Sequence, residues 1–166
     1  MFKTSNKNDY VIPFRCSKNM NNLVLSLAPK FTKLQTLILR QDKPQLEDNA
    51  VETIANFCHD LQILDLSKSF KLTDRSLYAI ALGCWHLTKL NISGCSAFSD
   101  SALAYLASLC RELKVLNLCG CVKAASDTAL QVCSRPIDFH NHIRTKIAVS
   151  YILINKWNAG NWTLLQ

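Results

Sequence analysis

Cysteine and leucine return at one fixed interval along this chain. Cys58, Cys84 and Cys110 lie 26 residues apart, Cys95 and Cys121 keep the same spacing, and so do Leu61, Leu87 and Leu113. A unit of that size is too small to bury an apolar face by itself, so equivalent units must stack and share one core. The interval therefore predicts a solenoid in which each unit touches only its neighbours. Such an array offers surface to a partner more readily than it builds a catalytic cleft.

Each unit opens with apolar residues at offsets 0, 3 and 5: Leu34, Leu37, Leu39; Leu61, Leu64, Leu66; Leu87, Leu90, Ile92; and Leu113, Leu116, Leu118. The last two of each set are two residues apart, which is strand spacing and turns both side chains to the same face. Asp42, Ser69, Cys95 and Cys121 follow at a bend, and Asp48, Asp74, Asp100 and Asp127 come next. An aspartate there is expected to cap the first N–H groups of a short helix. Val51, Ile54 and Ala55 recur as Leu77, Ile80 and Ala81 and as Leu103, Leu106 and Ala107, a spacing that puts each trio on one helical face. The fold class expected is α/β: a leucine-rich-repeat solenoid forming a short right-handed horseshoe segment, with parallel strands concave and helices convex.

Residues 1–10 are expected to form a disordered N-terminus. Residues 11–131 are read as one partial and about four further units, the last incomplete. The partial unit would hold a strand at 11–16 and a helix at 22–31, with Pro29 cutting that helix short. Extra residues fall near 43–47 and 122–126, where loops absorb insertions at little cost. The rhythm stops at Gln131, and 132–166 form a divergent tail in which Pro136 opposes a continuous helix.

The net charge of +7 invites a nucleic-acid reading, but its distribution opposes one. Residues 21–131 carry 11 basic and 10 acidic side chains, while the first twenty residues and the last 35 add +3 each. Nucleic-acid affinity needs a focused basic footprint. No apolar run approaches the roughly 20 residues that span a bilayer, so no membrane partner is expected. The eight cysteines follow the leucine period and the opening residues lack a secretory-signal pattern, which predicts reduced, packed thiols and a location in nucleus and cytoplasm.

No catalytic residue, metal site or cofactor is expected. Zinc needs convergent thiol or imidazole ligands, whereas Cys58, Cys84 and Cys110 occupy equivalent slots in successive layers and read as a packing ladder. Cys133 with His140 or His142 lies outside the regular units and has no rigid shell to hold a nucleophile pair. The structural core is assigned to Leu64, Leu66, Cys84, Leu90, Ile92, Cys95, Cys110, Leu116, Leu118 and Cys121. The candidate protein-binding face comprises Thr36, Ile38, Arg40, Ile63, Asp65, Lys68, Lys89, Asn91, Val115 and Asn117. Stacking would align Ile38, Asp65, Asn91 and Asn117 in one row and Thr36, Ile63, Lys89 and Val115 in another. Mixed apolar and polar groups on a rigid concave sheet suit a protein or peptide partner.

The pattern of Leu87, Leu90, Ile92, Cys95, Asp100, Leu103, Leu106, Ala107 and Cys110 resembles the cysteine-containing leucine-rich repeat of F-box proteins. The stretches 34–50 and 113–123 are similar to the plant SKP2-like F-box proteins, and the likeness covers about 21–131. This resemblance implies a function: the repeats would hold a protein substrate, such as a cell-cycle regulator, for an SCF (Skp1–cullin–F-box) ubiquitin ligase in ubiquitin-dependent protein degradation. The family binds the Skp1 adaptor through an N-terminal F-box. Too few residues precede the first unit here for that module, so adaptor binding is expected only of full-length relatives. The alternative expectation is a stand-alone repeat scaffold, or a non-functional fragment, without a ligase link.

Overall fold

The computed structural model describes residues 2–3, 9–11, 20–39, 46–118 and 120–121. It is an α/β arrangement. Short strands β1 (Phe2–Lys3) and β2 (Asp9–Val11) are followed by α1 (Met20–Leu27), a 3-10 turn (Ala28–Lys30) and β3 (Thr36–Ile38). Then come α2 (Asp48–Phe57), β4 (Ile63–Asp65), α3 (Asp74–Gly83), β5 (Lys89–Asn91), α4 (Asp100–Leu109) and β6 (Val115–Asn117). The six strands lie in one sheet in chain order. β3 to β6 are parallel, β2 joins β3 in parallel, and β1 runs antiparallel to β2. Each helix packs on the next in the same order.

Residues 1–10, expected to lack structure, contain β1 and most of β2, and the first parallel strand falls at 9–11 instead of 11–16. The α1 segment ends at Leu27, with Pro29 inside the 3-10 turn, because proline lacks the N–H that would continue an α-helical ladder. The loops near 43–47 and 122–126 lie largely or wholly outside the described residues, as does the tail 132–166.

The sheet register follows the period of the sequence. Leu37, Leu64, Leu90 and Leu116 sit side by side across β3 to β6. All four are buried, as are Leu39, Leu66, Ile92 and Leu118 just beyond each strand. The helices contribute Val51, Ile54, Ala55, Leu77, Ile80, Ala81, Leu103 and Leu106 to the same core. Ala107 is only half-buried. A further column, Leu46, Leu72 and Phe98, is fully buried just ahead of the helices, although the leucine pattern alone did not single it out.

Short strands need more than three ladder bonds to hold neighbours together, and the turns supply them. The carbonyl of Gln35 accepts from the N–H groups of Gln62 and Ile63, that of Gln62 from Thr88 and Lys89, and that of Thr88 from Lys114 and Val115. Beyond each strand the bonding continues, with Leu39 N–H donating to Asp65, Leu66 to Asn91 and Ile92 to Asn117. Buried backbone groups are thus satisfied by equivalent residues of the adjoining unit.

The cysteines extend this cross-linking without a covalent bond. Cys58, Cys84, Cys95, Cys110 and Cys121 are reduced and buried. The Cys110 thiol donates to the Cys84 carbonyl at 3.6 Å, and Cys84 donates weakly to the Cys58 carbonyl at 4.0 Å. In a second ladder Cys95 donates to Leu66 at 3.4 Å and Cys121 to Ile92 at 3.0 Å. A small, polarizable side chain with a weak donor fits a crowded site that also holds an inward-facing carbonyl. Burial pushes the Cys58 and Cys110 thiols up to about 11. Burial also raises Cys84 and Cys95 to about 12, with neighbouring thiols adding to the effect.

The helix-start aspartates act between units. Asp48 and Asp74 are first-turn residues, while Thr73 and Ser99 occupy the N-cap positions of α3 and α4. The Asp48 carboxylate accepts from the Thr73 N–H at 2.8 Å and hydroxyl at 2.6 Å, and from the Ser76 hydroxyl. Asp74 accepts from the Ser99 N–H and hydroxyl, both at 2.7 Å. For Asp48 and Asp74 the expected capping of their own helices is therefore corrected: these contacts fasten the start of the following helix, while Asp127 lies outside the described residues. Asn21 begins the series by accepting from the Glu47 N–H at 2.9 Å.

Candidate protein-binding face

The strands place two rows of side chains on the sheet face opposite the buried leucines, because successive strand residues alternate sides. One row aligns Thr36, Ile63, Lys89 and Val115, and the other aligns Ile38, Asp65, Asn91 and Asn117. Neighbouring positions in a row are separated by about 4.8 Å, the spacing between strands. Of the residues singled out for this face, Arg40 lies outside the described residues.

The two rows differ in what they leave accessible. Asp65 is only 5% exposed, so its assignment as a contact residue is corrected. Its carboxylate accepts from the Ser67 N–H at 3.0 Å, and Asn91 accepts from the Ser93 N–H at 3.1 Å. Both side chains close a turn onto their own backbone two residues on, satisfying an N–H that the neighbouring strand does not reach. This row serves the strand ends. In the other row Thr36 and Ile63 are half-buried, Lys89 is exposed, and Val115 remains 45% exposed. That row is the more accessible of the two, since Ile38, Asn91 and Asn117 are half-buried and Asp65 is buried.

Lys68 is also exposed, at a turn beyond β4 with φ of 62°. The positions 26 and 52 residues later are Gly94 and Gly120, with φ of 78° and 76°. Glycine suits this left-handed turn because it has no Cβ, whereas Lys68 holds the same conformation at a steric cost.

Ion pairs link several cations to adjoining units. Lys33 pairs with Asp60, Lys71 with Glu47 and Arg75 with Glu52, each across neighbouring units. His86 contacts Glu112 at 3.3 Å. Asp48, Asp65 and Asp74 are committed to the backbone and hydroxyl contacts already described. Lys68, Lys89 and Lys114, all on or beside the strands, make no ion pair among the described residues, and neither do Lys30 and Arg111 in turns next to the helices.

A second exposed surface lies on the helices and the turns after them. Tyr78 and Tyr105 meet edge to face at 5.2 Å, and Trp85 stacks with His59 at 6.4 Å. The Trp85 indole N–H donates to the Leu82 carbonyl, and Leu82 and Trp85 are themselves 57% and 60% exposed. His59 Nδ1 lies 2.9 Å from the Gly83 carbonyl oxygen. The leucine period does not distinguish this aromatic surface, since it identifies the inward positions.

Among the described residues no group of three or more His, Cys, Asp or Glu side chains is placed to hold a metal ion. No helix among them is long and apolar enough to cross a membrane. Cys133, His140 and His142 lie outside the described residues. No protein-family model matches the chain.

Proposed function

We propose that this chain is a leucine-rich-repeat solenoid whose strand face binds a protein, and that it corresponds to the substrate-recognition part of an SCF ubiquitin ligase. The observation that carries the binding role is the accessible Thr36, Ile63, Lys89, Val115 row, backed by a continuous line of buried leucines. Rigid strands hold those side chains in place before a partner arrives, so less ordering entropy is lost on association. Mixed apolar, hydroxyl and cationic groups provide both area and orientation for a protein surface. The ligase link rests on the sequence resemblance, and the chain's role in it is recognition without catalysis.

Affinity capture with the full chain tests this reading, comparing wild type with Ile63→Arg and Val115→Arg. Both substitutions are expected to release a regulatory protein that wild type retains, while circular dichroism stays unchanged. Joined to an F-box, the wild-type chain is expected to recruit Skp1 and shorten the captured protein's half-life. Partners insensitive to both substitutions would refute the strand-face site. Sensitive partners whose half-life never changes would favour a stand-alone scaffold.

A further inference from the structure

We propose that the Ile63, Lys89, Val115 row receives an acidic, extended segment of a partner protein, with a carboxylate against Lys89 and apolar side chains against Ile63 and Val115. This deepens the strand-face reading and rests on it. The charge distribution supplies the argument. The helix-side cations Lys33, Lys71 and Arg75 each have a carboxylate from an adjoining unit. Lys89 has none among the described residues, and the row beside it offers no available anion because Asp65 is buried and turned onto the Ser67 N–H. Lys68 and Lys114 add two further cations near the same strands without an ion pair among the described residues. Lys89 is therefore an exposed cation between two accessible apolar side chains, and a complementary charge on a partner would steer and orient association.

Geometry narrows the ligand further. Register places Lys89 directly between Ile63 and Val115. From Ile63 to Val115 the row spans two strand spacings, about 10 Å, and an extended chain turns only alternate residues, about 7 Å apart, to one face. A segment with an acidic side chain at one position and apolar ones two residues before and two residues after it presents all three on one side, and the apolar side chains lean inward to meet Ile63 and Val115. Apolar contacts on both sides would exclude water from the central ion pair and strengthen it relative to an open surface pair.

The test uses the isotopically labelled full chain and three short synthetic peptides that differ only at a central residue, glutamate, glutamine or lysine, with a leucine two residues before it and another two residues after it. Binding is followed by amide chemical shifts. The glutamate peptide is expected to move the amides of β4, β5 and β6 and to bind about threefold to tenfold more tightly than the glutamine peptide, a preference weakened by salt. Lys89→Glu is expected to reverse the order in favour of the lysine peptide, and Lys89→Gln to abolish the preference while leaving circular dichroism unchanged. Equal binding of all three peptides at the strands would overturn acidic selectivity and leave the strand-face reading intact. Shifts confined to α2, α3 and α4 with every peptide would overturn both. Preferential binding of a single-stranded DNA oligonucleotide at Lys68, Lys89 and Lys114 would overturn the peptide assignment.

Discussion

Raising the pH from 7 to 10 should remove much of the stability of this protein through its buried cysteines. Cys58, Cys84, Cys95 and Cys110 have pKa values raised from 9.0 to about 11 or 12, chiefly because burial disfavours the thiolate. A raised folded-state pKa means that the unfolded chain releases its proton first. The contribution is therefore fully present below pH 9 and declines as pH rises towards 11 or 12. At pH 10, one unit above the unfolded value, each thiol accounts for a loss of about 1.4 kcal/mol. Four such groups together give roughly 5 kcal/mol, comparable with the whole stability of a small domain. Urea unfolding followed by far-UV circular dichroism at pH 7, 9 and 10 measures this loss. Lysines and tyrosines also titrate near pH 10, so Cys84→Ala provides the control: its loss between pH 7 and 10 should be smaller by about 1.4 kcal/mol. Identical pH dependence in the variant and the wild type would refute the reasoning, as would rapid modification of all four thiols by a thiol reagent under native conditions.

Three substitutions test other parts of the packing. A Cβ at Gly83 would lie 2.1 Å from the Ala55 carbonyl oxygen, so Gly83→Ala must force α2 and α3 apart and should cost about 3 kcal/mol in urea denaturation. Asp74→Ala removes the acceptor for the Ser99 N–H and hydroxyl and should cost about 2 kcal/mol, with the largest rise in amide exchange at the start of α4. Unchanged exchange there would contradict the inter-unit capping role. Lys68→Gly relieves a left-handed backbone and should raise stability by about 0.5–1 kcal/mol, read from the thermal midpoint with its unfolding enthalpy.

The exchange of partners between units explains why cooperativity should extend along the chain. Helix starts, thiols and strand-end N–H groups each find an acceptor about one period away. Removing one such acceptor leaves a donor in the adjoining unit without its partner, in the following unit for the helix starts and thiols and in the preceding unit for the strand-end N–H groups. The exposed inter-unit ion pairs matter less, since screened surface pairs contribute at most about 1 kcal/mol each.

The sequence by itself determined which residues of the leucine and helix repeats turn inward. Leucines two apart and helical residues three and four apart can share a face only in one local conformation, and a constant interval makes equivalent positions adjacent. The alignment of Leu37, Leu64, Leu90 and Leu116, of the two strand rows and of the cysteine columns was legible on that basis, but not which row stays more accessible. What the interval could not reveal was the partner each polar side chain would choose. Only the tertiary structure decided that Asp48 and Asp74 fasten the next helix, that Asp65 folds back beneath the surface, and that Gly83 lets two helices nearly touch. Periodicity identifies equivalent positions, but hydrogen bonds and steric limits depend on distances of a few ångströms between backbones that lie a full unit apart in the chain.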